Sequence, residues 1–177
     1  MLKLSTLVEE KKYDYGCVML YCDFPSNIIK LQDTINPVDL QDPGIEYEPH
    51  CTLLYGLHDG VTLEQVIDVV NKFKFSNLKA FNPSLFENPE FDVFKYDVGY
   101  QERGGAFLHH CNEKLKELPH TTSYPDYHPH MTIAYLKPGE GKKYVEYFKK
   151  YNANEFATTP THLVYSQPDG TKTKIAI

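Results

Sequence analysis

Histidine and threonine recur in one pattern at two places in this chain. Pro49-His50-Cys51-Thr52-Leu53-Leu54-Tyr55 returns about eighty residues later as Pro129-His130-Met131-Thr132-Ile133-Ala134-Tyr135, so both copies read P-H-x-T-apolar-x-Y. With 8 His in 177 residues, a bare H-x-T is expected roughly half a time by chance, and two of them alone would be a weak motif. The matched Pro and Tyr, and the run of strand-forming residues in each copy, make the duplication the signal. In a strand, alternate side chains share a face. Each His and its Thr therefore point the same way, while Cys51 or Met131 points into the core.

An internal repeat implies two similar units related by an approximate two-fold, with the matched strands facing each other across a cleft. Two imidazoles would then meet in one groove. Cleaving a phosphodiester needs a base for the attacking oxygen and an acid for the leaving oxygen. Histidine serves either role because it titrates near neutrality. The hydroxyls of Thr52 and Thr132 can donate to the non-bridging phosphate oxygens, where charge develops in the transition state. The candidate catalytic residues are thus His50, Thr52, His130 and Thr132, with the acid and base roles open between the two histidines. No metal and no other cofactor is needed for this chemistry. His109 and His110 are consecutive on a helix and diverge, and nothing near His128 has ligand spacing, so no metal site is expected. His58, His120 and His162 receive no assignment.

The elements that would hold these residues follow from pattern. Tyr15 to Cys22 is an apolar strand-forming run, and a short helix (SNIIKLQDTI) follows Pro25. Residues 36–48, rich in Pro, Asp and Gly, read as an exposed loop leading to a strand from His50 to about Leu57. Thr62 and Gln65 have capping-box spacing ahead of the apolar face Val66, Ile67, Val69, Val70 and Phe73. Strands are expected at Phe75–Phe81 and Phe91–Val98, then a helix from Ala106 to about Leu118. The loop 119–129 leads to a strand at His130–Leu136, followed by a helix near 142–151 and two strands joined at Gln167-Pro168-Asp169-Gly170. The class is α+β with largely antiparallel sheets, in a single bilobal domain over 1–177.

Composition narrows the partners. A net charge of −6, from 18 Lys+Arg against 24 Asp+Glu, argues against a protein that wraps a long polyphosphate chain but leaves a small nucleotide possible. The basic helix carrying Lys142, Lys143, Lys149 and Lys150 reads as a solvated face. Cys17, Cys22, Cys51 and Cys111 lack CxxC spacing and are expected reduced and buried. The N-terminal apolar stretch is broken by charge after about eight residues, too short for a signal peptide or membrane span. A cytoplasmic protein with no membrane association and no obligate protein partner is expected, the cytoplasm being the host's if a phage encodes it.

Paired H-x-T motifs on pseudo-symmetric strands resemble the 2H phosphoesterase superfamily, which includes RNA 2′,3′-cyclic phosphodiesterases. The resemblance implies two α+β lobes flanking a cleft. The stretches YDYGCVML, EPHCTLLYGLHDG and LPHTTSYPDYHPHMTIAYLKPG look like the phage anti-CBASS nucleases, which degrade the cyclic oligonucleotide signals of bacterial immunity. That resemblance implies cleavage of 3′-5′ bonds in cyclic di- and trinucleotides to linear products. A neighbouring ribose 2′-hydroxyl would be the nucleophile, and His50, Thr52, His130 and Thr132 would take the catalytic places. Without Trp, base stacking falls to Tyr, Phe or His. Phe94, Tyr96 and Val98 look like core, which leaves Phe91 and Lys95 on the other face as a base and phosphate contact. Tyr13 is a second stacking candidate. Two alternatives remain: a 2H enzyme acting on RNA ends or 2′,3′-cyclic phosphates, and a non-catalytic sponge for a cyclic nucleotide.

Overall fold

The computed structural model describes residues 12–99 and 106–177. In chain order the elements are β1 (Gly16–Asp23), α1 (Ser26–Gln32), β2 (Leu40–Ile45), β3 (His50–Leu57), α2 (Leu63–Val70) and β4 (Leu78–Glu87). They continue with β5 (Asp92–Gly99), α3 (Ala106–Leu115), β6 (His130–Leu136), α4 (Gly141–Lys150), β7 (Glu155–Ser166) and β8 (Lys172–Ala176). The class is α+β, and every strand pairing is antiparallel.

Hydrogen-bonded neighbours run β1-β3-β6-β5-β4-β7, and β7 pairs again with β1, so six strands close a circuit, with β8 beyond β7 and β2 beside β6. Long β7 makes the closure possible. Its first residues, Glu155 to Thr158, pair with β4, and the rest, from Thr159 to Ser166, pair with β1. The circuit has one narrow junction, where β3 meets β6 at a single registered pair, Cys51 opposite Met131.

Strand alternation builds the two faces. On β1, Val18, Leu20 and Cys22 are buried while Cys17, Met19 and Tyr21 are half-buried on the opposite side. Phe94, Tyr96 and Val98 are core, as their alternation predicts. Thr62 closes its capping box with Gln65, and α2 buries Val66, Val69 and Val70. Cys22, Cys51 and Cys111 are buried and Cys17 half-buried, all four as free thiols. Burial pushes Cys51 up to about 11 and Cys17, Cys22 and Cys111 up to about 12, so none is a ready nucleophile.

Two expectations are corrected. Residues 36–48 are not simply a loop: a 3-10 turn at Pro37–Asp39 leads into β2, which meets β6 at Leu40↔Leu136 and Ile45↔Ala134. The intervening Pro43-Gly44 belongs to an irregular edge strand, the kind of position where a missing N–H is tolerated. The strand expected at 75–81 instead runs from Leu78 to Glu87, because a bulge between Phe81 and Ser84 absorbs Asn82-Pro83, with Asn82 at φ 54. That extension carries Phe86.

Candidate active site

The junction between β3 and β6 joins the two H-x-T copies. Equivalent residues, Cys51 and Met131, pair with each other, so a local two-fold axis passes through the pair. Both are 0% exposed, which turns His50, Thr52, His130 and Thr132 to the other face, where all four are half-buried. Extending the antiparallel register by one residue sets His50 opposite Thr132 and Thr52 opposite His130. The matched strands thus lie side by side as the floor of the groove, rather than facing each other across it, and the histidines are brought closer than separate lobes would bring them.

The symmetry extends to the supports of each copy. Pro49 and Pro129 carbonyls accept from the neighbouring strands, from Cys22 N at 2.9 Å and Val98 N at 3.0 Å. His50 Nδ1 lies 2.9 Å from Glu48 O, and His130 Nδ1 lies 2.7 Å from His128 O. A carbonyl oxygen only accepts, so each Nδ1 carries the proton and donates it. In the neutral rings, Nε2 therefore holds the lone pair. Neither Nε2 has a hydrogen-bond partner among the described residues.

Deeper, the carbonyl one residue beyond each Thr receives a side-chain amide from a helix of the other half. Asn112 Nδ2 of α3 donates to Leu53 O at 2.7 Å, and Gln32 Nε2 of α1 donates to Ile133 O at 3.2 Å. Both amides are buried, at 4% and 1% exposure. Each half's helix thereby fastens the motif strand of the other. Tyr127 adds a bond from its hydroxyl to Thr52 O at 2.9 Å.

The surroundings of the two histidines break this symmetry. His50 stands opposite Tyr21 on β1, with ring centroids 5.1 Å apart, and a Glu46 carboxylate oxygen lies 4.0 Å from its Nδ1. His130 stands opposite Asp97 on β5, and the Phe86 ring meets it edge to face at 5.0 Å. Lys95, opposite Thr132 and 7% exposed, sits 4.7 Å above Phe86 and is ion-paired with Asp97. Desolvation lowers the His130 pKa below the ordinary 6.5; the positive charges of Lys95 and His50 add to the effect, while the His128 carbonyl and Asp97 oppose it. A groove floored by two imidazoles and two hydroxyls, with the neutral form of His130 favoured by its desolvation, can move protons on both sides of a phosphorus.

No protein-family model and no curated protein sequence matches the chain. Solved structures do. Kluyveromyces marxianus Usb1 with uridine monophosphate superposes with a TM-score of 0.61 at 10% identity, covering 94% of this chain and 99% of that one. E. coli LigT complexed with 3′-AMP gives 0.50 at 14% identity, over 92% and 95% of the two chains. The fold is that of the 2H phosphoesterases. The crystal structure of a phosphoesterase gives a TM-score of 0.51 at 14% identity over 92% of this chain and 95% of that one.

Within the 2H fold, Lys95 joins the four motif residues, but Tyr13 and Phe91 do not. Phe91 precedes β5 at the end where Asp92 pairs with Leu136, roughly 20 Å along the strand from Asp97. It packs on Tyr135 at 5.9 Å. Tyr13 lies beyond the Gly16 end of β1, bonded through its backbone N to Pro168 O at 2.8 Å, while Tyr21 is at the His50 end. Their places beside the histidines are taken by Phe86 and Tyr21. Alternation on β1 could have revealed Tyr21, which is in phase with Met19 opposite Thr52; Phe86 was concealed by Pro83. Among the described residues no three His, Cys, Asp or Glu side chains converge as a metal site, and no helix is long and apolar enough to cross a membrane.

Proposed function

We propose that this protein is a metal-independent phosphodiesterase that opens 3′-5′ bonds of small cyclic oligonucleotides, and that it counters cyclic-nucleotide immune signalling in bacteria. The observation that carries the reading is the Cys51–Met131 junction, which sets two tautomer-fixed His-Thr pairs on one face. The nucleotide complexes of Usb1 and LigT, with uridine monophosphate and 3′-AMP, support a nucleotide ligand for the shared groove. The net charge of −6 and the stretches resembling anti-CBASS nucleases favour a small cyclic substrate over long RNA.

The asymmetry around the groove supports a division of labour. His130, kept neutral by desolvation and by Lys95, is the base. Its Nε2 takes the proton of the 2′-hydroxyl, the 2′-oxygen attacks phosphorus, and the bond from phosphorus to the 5′-oxygen breaks. His50, with the Glu46 carboxylate 4.0 Å from Nδ1, is the acid that protonates the departing 5′-oxygen. Thr52, Thr132 and Lys95 face the charge that gathers on the non-bridging oxygens. The first product is a linear chain ending in a 2′,3′-cyclic phosphate and a 5′-hydroxyl.

The test is a panel of 3′,3′-linked cyclic di- and trinucleotides, a linear RNA and a 2′,3′-cyclic mononucleotide, each incubated with the protein in EDTA. Ring opening of the cyclic oligonucleotides, and resistance of their 2′-deoxy analogues, is expected. Turnover that requires added metal would overturn the mechanism. Exclusive turnover of the RNA or the mononucleotide would reassign the substrate. Cyclic ligand recovered intact after heat denaturation would mark a sponge.

A further inference from the structure

Beside His50 the groove opens into a cavity of about 460 Å³ between β1, β7, β8 and the connection that precedes β3. Its size lies within the range of small-molecule sites. Tyr21 forms one wall and links the cavity to the cleavage centre. One face of its ring is 5.1 Å from His50, and His162 stacks on it at 5.0 Å with the planes 10° apart. An aromatic row thus runs from the proposed acid into the cavity, a surface on which a base can stack.

The charges across the cavity are ordered. Lys172 and Lys174 line one side. They are alternate residues of β8 and so share a face, both are exposed, and neither has an ion-pair partner among the described residues. Lys95, across the site, is by contrast ion-paired with Asp97. Asp23 and Glu48 lie on the other side, with Tyr47 at the rim. Two lysines facing two carboxylates do not make a general sink for polyphosphate. They match one unit that is anionic at one end and carries hydrogen-bond donors at the other, since ionised carboxylates only accept. A nucleotide whose base bears an exocyclic amino group has that polarity.

We infer that this cavity is the subsite for the leaving nucleotide, the one whose 5′-oxygen departs from the scissile phosphate. The assignment rests on the function proposed above, because it takes the side of the groove from His50 as the acid. Glu48 and Pro49, which line the cavity, directly precede His50, so a nucleotide seated there brings its 5′-oxygen to the ring that protonates it. Lys172 and Lys174 hold its outer phosphate, His162 stacks its base on the ring face turned away from Tyr21, and Glu48 and Asp23 accept from the amino edge. Substrates with at least two linked nucleotides are therefore preferred over mononucleotide cyclic phosphates.

The experiment compares two substrates with the same attacking adenosine: the 3′,3′-linked cyclic dinucleotide of adenylate, whose leaving nucleotide carries an outer phosphate on its 3′ side, and adenosine 3′-(p-nitrophenyl phosphate), which has no leaving nucleotide. In the Lys172→Ala/Lys174→Ala double variant, the ratio of kcat/KM for the cyclic dinucleotide over the p-nitrophenyl ester falls about tenfold or more. Lys150→Ala, an exposed charge on α4, leaves the ratio at the wild-type value. An unchanged ratio in the double variant would overturn the subsite while the proposed function stands. Should wild-type protein cleave neither compound, that function falls, and calorimetric titration with adenosine 3′,5′-bisphosphate decides the subsite alone. Affinity weakened about tenfold in the double variant supports the subsite, and equal affinity overturns it. Thermal melting of both variants near the wild-type temperature shows that the edge strand is intact.

Discussion

Replacing Lys95 by Met separates the electrostatic role proposed for the His130 side of the groove from mere packing. Met retains the apolar stem over Phe86 but removes the ammonium, which is one cause of the lowered His130 pKa, and it leaves Asp97, an opposing cause, without its partner. Both changes act in the same direction. Asp97 stands directly opposite His130 in an antiparallel pair and is 31% exposed, which places its charge about 6 Å from the ring in a medium between protein and water. At that separation an effective dielectric constant of 20 to 80 gives about 0.7–2.8 kcal/mol, or about 0.5–2 pH units. The sign follows from the role. A base works when neutral, so activity is lost as pH falls through the His130 pKa. Raising that pKa moves the acid limb to higher pH. The kcat/KM profile of wild type is expected to have its acid limb below the ordinary 6.5, and that of Lys95→Met about one unit higher, each normalised to its own plateau. A limb that stays in place or moves down would refute the assignment of His130 as base under Lys95 control.

Three further outcomes follow from the geometry. Asn112→Leu, which takes the amide donor from Leu53 O, and Gln32→Leu, which takes it from Glu46 O and from Ile133 O, where the Glu46 N–H remains, are each expected to cost about 1–3 kcal/mol, read as a lower urea midpoint. An unchanged midpoint would mean that the cross-half amides do not hold the motif strands. Thr52→Val and Thr132→Val should each lower kcat by on the order of 10²-fold with little loss of stability, if both hydroxyls face the phosphate in the transition state; steady-state kinetics on a cyclic dinucleotide reads this. Gly56→Ala should destabilise by at least about 3 kcal/mol, because Gly56 has φ +128 and a Cβ there would lie 2.1 Å from Thr121 O. Thermal unfolding checks it, and a melting temperature within a degree of wild type would contradict the close approach of the 119–129 segment to β3.

The site's motif was legible because its information is local and repeated. Alternation within His50-Cys51-Thr52 and His130-Met131-Thr132 sufficed to orient six side chains, and their burial agrees with it. What stayed hidden depends on register between distant strands. Nothing within residues 78–87 announces that Phe86 reaches His130, since a bulge at Asn82-Pro83 must carry the strand past a residue that usually ends one. Lys95 was identified, yet Phe91 lies away from the histidines, because alternation gives the face but not the position along the strand, and Phe91 is toward the end where Asp92 pairs with Leu136. His162 had no local pattern at all. Only the long β7, changing partners from β4 to β1, brings it against Tyr21. The polar supports Gln32 and Asn112 read as ordinary helix residues, and their roles emerge only when each helix is seen bonded to the opposite motif strand.

The central claim, that His50 and His130 form one acid and base pair, is tested most directly by leaving-group chemistry in EDTA. Against the 3′,3′-linked cyclic dinucleotide of adenylate, His50→Ala and His130→Ala should each lose roughly 10²–10⁴-fold in kcat. Against adenosine 3′-(p-nitrophenyl phosphate), whose leaving group departs without a proton, His50→Ala should recover most of the wild-type rate while His130→Ala remains impaired. Equal losses by both variants on both substrates would contradict the division of roles. Turnover of the cyclic dinucleotide surviving in the His50→Ala/His130→Ala double variant would contradict the pair itself.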